Sequence, residues 1–149
     1  MSKRRFGGDN TLGNAKKNFG KKKGNITFVK NRIMTPKELL KIWVEKFNQC
    51  DYEGLSEMYS EGATNHQTPL GMVTGKENIK QFFKEDFEKY EMVCIIENIF
   101  EDGQIGILEW KGPKENDLRG CGFFWIENDK IVYQRGYWDR LSFMEQQGV

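Results

Sequence analysis

The sequence predicts an α+β domain in which three N-terminal helices pack on one face of a mostly antiparallel sheet. Three observations carry this prediction. Between Thr35 and Tyr90 the apolar residues recur at helical spacing. After Tyr90 the chain changes to β-branched and aromatic runs. Those runs are divided at 101–103, 112–117 and 127–130 by Gly-, Asn-, Asp- and Pro-bearing segments of hairpin length. Helices first and strands afterwards is the pattern of an α+β fold with its helices on one side of the sheet.

Residues 1–34 precede this pattern as a Gly/Lys/Asn-rich segment with few apolar residues to offset the entropy of ordering, and they read as a disordered basic tail. Order is expected from Thr35 to Val149. Thr35 is placed to cap a helix, Pro36 suits its first position, and Glu38 completes a capping box. Leu39, Leu40, Trp43, Val44 and Phe47 then form one apolar stripe to about Gln49. Asp51 opens a shorter second helix carrying Leu55, Met58 and Tyr59 and ended by Gly62. Thr74 and Glu77 repeat the capping-box pattern ahead of a third helix that buries Ile79, Phe82, Phe83 and Phe87. The extended piece A-T-N-H-Q-T-P between the second and third helices supplies a further strand. Four strands follow, in the runs 92–100, 104–110, 118–127 and 131–143.

The bulk numbers exclude several classes. The 149 residues are 38% hydrophobic and 30% charged, and no apolar run approaches the roughly 20 residues needed to span a bilayer. No secretory leader is legible, so the expected compartment is the cytoplasm. Cys50, Cys94 and Cys121 are too far apart for a zinc site and odd in number, so they read as reduced thiols. No metal, nucleotide or other cofactor signature occurs; the G-C-G at 120–122 falls inside a strand and permits a bend rather than cradling a phosphate. The formal charge of +1 conceals an asymmetry. Residues 1–34 hold ten basic residues against one acid, whereas the rest holds 13 basic against 21 acidic, a net charge of −8. An acidic folded part argues against nucleic-acid binding by the domain itself. The tail reads either as a solvated extension or as a contact for an acidic partner, and Met34 stands where an alternative start would fall.

Two stretches carry a resemblance. N-H-Q-T-P-L-G-M-V-T-G-K-E-N-I, residues 65–79, and G-F-F-W-I-E-N-D-K-I-V-Y-Q-R-G-Y-W-D, residues 122–139, resemble the SnoaL-like polyketide-cyclase branch of the nuclear-transport-factor-2-like superfamily over about Thr35 to Phe143. The resemblance implies a strongly curved sheet that closes with the helices into a cone around an apolar pocket. It also implies a small, largely apolar organic ligand and a homodimer formed through the outer face of the sheet.

It further places a pocket carboxylate at the end of the last strand, which is Asp139 here. An apolar setting would raise its pKa toward a useful general-base value. Such a base would abstract a proton alpha to a carbonyl, with the enolate stabilised by Tyr137, Tyr133, Tyr59 or Trp110. An ion pair of Asp139 with Arg140, Arg135 or Arg119 is the structural alternative. Alternation along the last strand sets Tyr133, Arg135, Tyr137 and Asp139 on one face and Gln134, Gly136 and Trp138 on the other. Likewise either His66 or the amide pair Asn65 and Gln67 looks inward. Epoxide-hydrolase relatives favour the amides, as orienters of a water or substrate oxygen.

Glu109 is a second candidate pocket carboxylate, but the epoxide-hydrolase pattern needs an arginine where this chain has Ile107. The ketosteroid-isomerase pattern needs its base where this chain offers only Asn65, His66 and Gln67. A cyclase-like step using Asp139 remains, with His66 and Glu109 as further catalytic candidates and Asn65, Gln67, Tyr137, Tyr59, Trp110 and Trp43 around the substrate. The competing reading is a non-catalytic ligand-sensing or dimerising module, which a pocket plugged by Trp43, Phe47, Phe83 and Trp110 would favour.

Overall fold

The computed structural model describes residues 32–114 and 118–149; most of the basic tail, residues 1–31, lies outside them. Helix α1 (Pro36–Asn48) begins as its sequence dictates. The Thr35 side chain accepts from the Glu38 amide while the Glu38 carboxylate accepts from the Thr35 amide, so two of the helix's orphan donors are satisfied reciprocally. All five residues of the expected stripe are buried.

Helix α2 (Tyr52–Glu57) is shorter than the sequence suggests, because Tyr59 already belongs to strand β1 (Tyr59–Gln67) and Gly62 lies within that strand. A short strand β2 (Gly71–Thr74) turns back against β1. The Thr74 hydroxyl is therefore engaged with that of Thr64 at 3.0 Å, and the expected second capping box does not form. Helix α3 (Lys76–Lys89) starts instead from Gly75, whose φ of 94° suits glycine.

Strands β3 (Ile95–Asp102), β4 (Ile105–Lys111), β5 (Arg119–Glu127) and β6 (Lys130–Trp138) are the four expected runs. The last run does not continue as a strand beyond Trp138. It ends in helix α4 (Arg140–Gln147), capped by Asp139 and closed by Gly148 in the left-handed region.

The six strands form one mixed sheet in the order β2-β1-β6-β5-β4-β3, parallel only between β1 and β6. Register shifts interrupt β1, β3 and the β5–β6 pair, and such bulges bend a sheet. The inner face packs on α1 and α3 around Leu40, Trp43, Phe83, Leu108 and Phe124. The Trp43 ring stacks on Phe47 and meets Phe83 and Phe124 edge-on. No helix among the described residues is long and apolar enough to cross a membrane.

Candidate functional site

Two neighbouring glycines on the inner face of the sheet line a cavity. Leu108, Gly122, Gly136 and Gln67 form one row across β4, β5, β6 and β1. A Cβ at Gly122 would run into the Phe124 ring and one at Gly136 into the Gln67 amide, so the two glycines let those side chains lie against the sheet, beneath the space between sheet and helices. A cavity of about 390 Å3 occupies it, bounded by Trp43, Phe47, Phe83, Trp110, Phe124 and Trp138. Gly120 has a related role: a Cβ there would stand 2.3 Å from the Trp110 indole, so this glycine lets the ring lie against β5. The G-C-G segment thus shapes the inner wall, and Gly122 lines the cavity.

Two chains of hydrogen bonds fix the polar part of the wall. In the first, the Trp43 indole donates to the Tyr59 hydroxyl at 2.9 Å, and that hydroxyl donates to Oε1 of Gln134. In the second, Trp138 donates to Oε1 of Gln67 at 2.9 Å, and Nε2 of Gln67 donates to Oδ1 of Asn65 at 2.6 Å. Burial pushes the Tyr59 phenol far up, so it stays protonated. The Trp43 and Trp138 indole N–H groups and the Tyr59 phenol are therefore engaged within the protein. Two buried side-chain atoms around the site lack a hydrogen-bond partner, Nδ2 of Asn65 and Oε1 of Gln146; of these two residues, Gln146 lines the cavity.

The rim is formed by the C-terminal turn of α3, the segment 90–94 and α4. That connecting segment is clamped at both ends by side-chain amides. The Gln147 amide on α4 accepts from the Glu91 N–H at 3.1 Å and donates to the Glu91 carbonyl at 2.9 Å. The Asn48 amide at the end of α1 makes the same pair of bonds to Cys94, at 2.8 and 2.9 Å. Helix α4 adds Phe143, Met144 and Gln146 to the wall, with Phe143 edge-on to both Tyr90 and Trp138.

One carboxylate on this wall is strongly perturbed. Asp86, half-buried on α3, has its pKa raised to about 6, mainly because burial disfavours its charged form; Lys89 opposes the shift and Glu85 adds to it. Among the described residues Asp86 makes no ion pair within 4 Å.

The sequence-derived candidates divide into three groups. Trp43, Trp110 and Gln67 line the cavity. Asn65 and Tyr59 are buried behind it, joined to it through Gln67 and Gln134. Asp139, His66, Glu109 and Tyr137 stand elsewhere. Asp139 is not a buried base: it is exposed and accepts from the Ser142 N–H at 2.7 Å as the α4 cap. The Ser142 hydroxyl and amide lower its pKa, the opposite of what a greasy pocket would do. No described arginine forms an ion pair with it.

The strand alternation itself holds, but the faces are reversed. Gln134, Gly136 and Trp138 look inward, and Tyr137, on the opposite face, is 45% exposed. His66 faces outward with Asn65 and Gln67 inward, its Nδ1 lying 3.2 Å from the Tyr133 hydroxyl. Glu109 also faces outward, where its carboxylate accepts from the Asn98 amide at 2.6 Å. Sequence reasoning missed Asp86. It lies in the charged run K-E-D-F-E-K, and only its position two residues from buried Phe83's neighbour Lys84 and one before Phe87 marks it as near the apolar face.

Solved structures share this architecture. A hypothetical protein with a ketosteroid isomerase-like fold from Catenulispora acidiphila, in complex with trimethylamine, is 17% identical, with a TM-score of 0.68 over 78% of this chain and 95% of that one. An LEH-like epoxide hydrolase of M. tuberculosis is 14% identical, with a TM-score of 0.64 over 75% of this chain and 88% of that one. A putative SnoaL-like polyketide cyclase from Shewanella putrefaciens is 15% identical, with a TM-score of 0.62 over 75% and 84%. These likenesses are of fold alone. No curated protein matches. The family of SnoaL-like domains matches residues 40–134, which span α1 through most of β6 and with them most of the cavity wall. By that match, the chain belongs to the family of SnoaL-like domains.

Proposed function

We propose that the protein binds a small, largely apolar organic molecule in the cavity between α1, α3 and the inner face of the sheet. The observation that carries this reading is the aromatic-walled cavity of about 390 Å3 over the paired glycines Gly122 and Gly136. Its volume lies within the range of about 300–1,000 Å3 usual for small-molecule sites. Trp43, Phe47, Phe83 and Trp110 border this space rather than plugging it. A solid interior was the condition that favoured a pure scaffold.

Binding is favoured over enolisation chemistry on physical grounds. A base-catalysed cyclisation needs a carboxylate at the reacting carbon and a donor for the developing oxyanion. Of the groups the sequence offered for that chemistry, Asp139 is outside, Tyr137 and Tyr133 are on the outer face and the Tyr59 donor is already engaged, which leaves the Trp110 indole on the wall. A second copy of the chain covers the outer face of the sheet in the same proposal. That face carries Phe100, Ile107, Phe123 and Arg135 as one transverse row.

The chain has four tryptophans, which makes a site-resolved test direct. Trp43, Trp110 and Trp138 line the cavity, and Trp125 lies outside it beside Tyr133 and Phe123. Titration of 15N-labelled protein with benzyl alcohol is expected to move the three cavity indole resonances and leave that of Trp125 in place. Cavity indoles that stay still while the probe is added would refute the reading.

A further inference from the structure

We infer that the cavity takes an uncharged carbonyl compound oxygen-first, with the carbonyl oxygen accepting from Nε2 of Gln134 and the apolar remainder lying against the aromatic walls. The inference rests on the ligand-binding reading above and names the class of ligand for the same site.

The polarity of one hydrogen-bond chain fixes what Gln134 shows to the cavity. An indole N–H only donates, so the Tyr59 oxygen accepts from Trp43, and the single phenol hydrogen, kept in place by burial, is left for Oε1 of Gln134. The amide is thereby oriented, and its NH2 group is the end that the chain does not use. Gln134 is 4% exposed and lines the cavity, and its Nε2 has no acceptor among the described residues. Packing does not seal that atom, as it seals Nδ2 of Asn65 and Oε1 of Gln146. A donor held away from bulk water without an acceptor is costly, and a ligand oxygen removes the cost.

The place of Gln134 in the sheet sets the chemistry of that oxygen. Gly106, Phe124, Gln134 and Asn65 form one transverse row, and α1 covers it: a Cβ on Gly106 would stand 2.7 Å from Leu40. This end of the wall is remote from α4, two inward rows away from Trp110, Gly120 and Trp138. The charged residues lining the cavity are Glu85, Asp86, Lys89, Glu91 and Arg140, and all belong to the rim elements. None stands on the row of Gln134. A carboxylate brought there would be buried without a cation, and an ammonium would meet a donor in place of an acceptor. A carbonyl oxygen brings lone pairs, no charge and no hydrogen. The Trp110 indole N–H is the other wall donor without a protein partner among the described residues. Half-buried in the rim row, it has water as an alternative partner and gains less from a ligand oxygen.

The test uses the full chain, labelled with 15N, and three probes of similar shape: acetophenone, isopropenylbenzene, in which a methylene replaces the carbonyl oxygen, and benzoate. Both neutral probes are expected to move the cavity indole resonances, but only acetophenone should shift the side-chain NH2 pair of Gln134. At neutral pH benzoate should bind at least ~5-fold more weakly than acetophenone. Gln134→Leu removes the donor at similar volume and is expected to weaken acetophenone binding at least ~5-fold. Isopropenylbenzene should bind that variant as before or better, which also reports that it is folded; should it not fold, the wild-type shift decides alone. An NH2 pair unmoved by acetophenone or moved alike by both neutral probes, equal loss of both in Gln134→Leu, or benzoate bound as tightly as acetophenone overturns the assignment and leaves the ligand-binding reading standing. A shift that acetophenone confines to the Trp110 indole does the same and puts the oxygen at the rim. If none of the three probes moves a cavity indole, both readings fall.

Discussion

A carboxylate half-buried beside aromatic rings is harder to ionise than one in water, and Asp86 shows the consequence for stability. Its folded pKa of about 6 stands above the ordinary 3.8, so between those values the native state holds more proton than the unfolded chain. Its contribution is therefore most favourable below about pH 4, falls as the pH rises through this window, and is at its least favourable above about pH 6. The full shift, discounted for partial exposure, corresponds to about 1 kcal/mol. Asp86→Asn removes the ionisation penalty. We expect its melting temperature at pH 8 to exceed that of the wild type by about 4 °C. The gain should disappear near pH 4. A variant less stable than wild type at pH 8 would show that Asp86 serves the fold rather than the site. Asp86 could not be recognised from the sequence because its local run is that of a solvated helix end; it lines the cavity together with the adjoining segment 90–94 and with α4, and only α4 is distant in sequence.

Among the elements, α1 was legible and α4 was not, for reasons that can be read in their residues. The entry to α1 is determined within four residues by Thr35, Pro36 and Glu38, and its stripe follows one period throughout. Leu141 and Phe143 keep the period of two set by Tyr133, Arg135 and Tyr137, so the run reads as β through Phe143. The opposing signals were a capping aspartate with Ser142 three residues on, and Gly148 as a stop. Strand alternation was correctly read, but alternation yields two sets of side chains and not the identity of the inner one. The outer set holds Trp125, Tyr133 and Tyr137, as aromatic as any core, so composition pointed the wrong way. Phase was decided by which set meets α1 and α3.

The same elements set the rim of the cavity. Gln147→Ala deletes both bonds from α4 to Glu91, and amide hydrogen exchange in residues 140–147 and 91–93 should rise at least ~10-fold while α1 is unchanged. Exchange left at the wild-type rate in both segments would show that the rim is held by the Phe143 ring contacts instead.

Among the described residues, the outer face of the sheet is left without a covering element. Phe100 is 54% exposed and Tyr137 45%, and the Arg135 guanidinium lies within 6 Å of the ring centres of Trp125, Tyr133 and Tyr137. Aromatics with an arginine among them are the composition enriched at protein interfaces. On the dimer reading, sedimentation should find two copies at tens of micromolar. Phe123→Lys, which sets a second cation beside Arg135, should give a folded monomer that still moves its cavity indoles with benzyl alcohol. A monomeric wild type would contradict the assembly and leave the cavity untouched.

The central claim is that the carboxylate on the cavity wall with a raised pKa is Asp86 of α3, and that Asp139 at the end of the last strand caps α4 in the open. The direct measurement is a pH titration of the side-chain carboxyl 13C resonances of Asp86 and Asp139 in the same sample. The account predicts Asp86 titrating at about 6 and Asp139 below the ordinary carboxylate value. An Asp86 that titrates as a free surface carboxylate, with Asp139 the raised one, would contradict it.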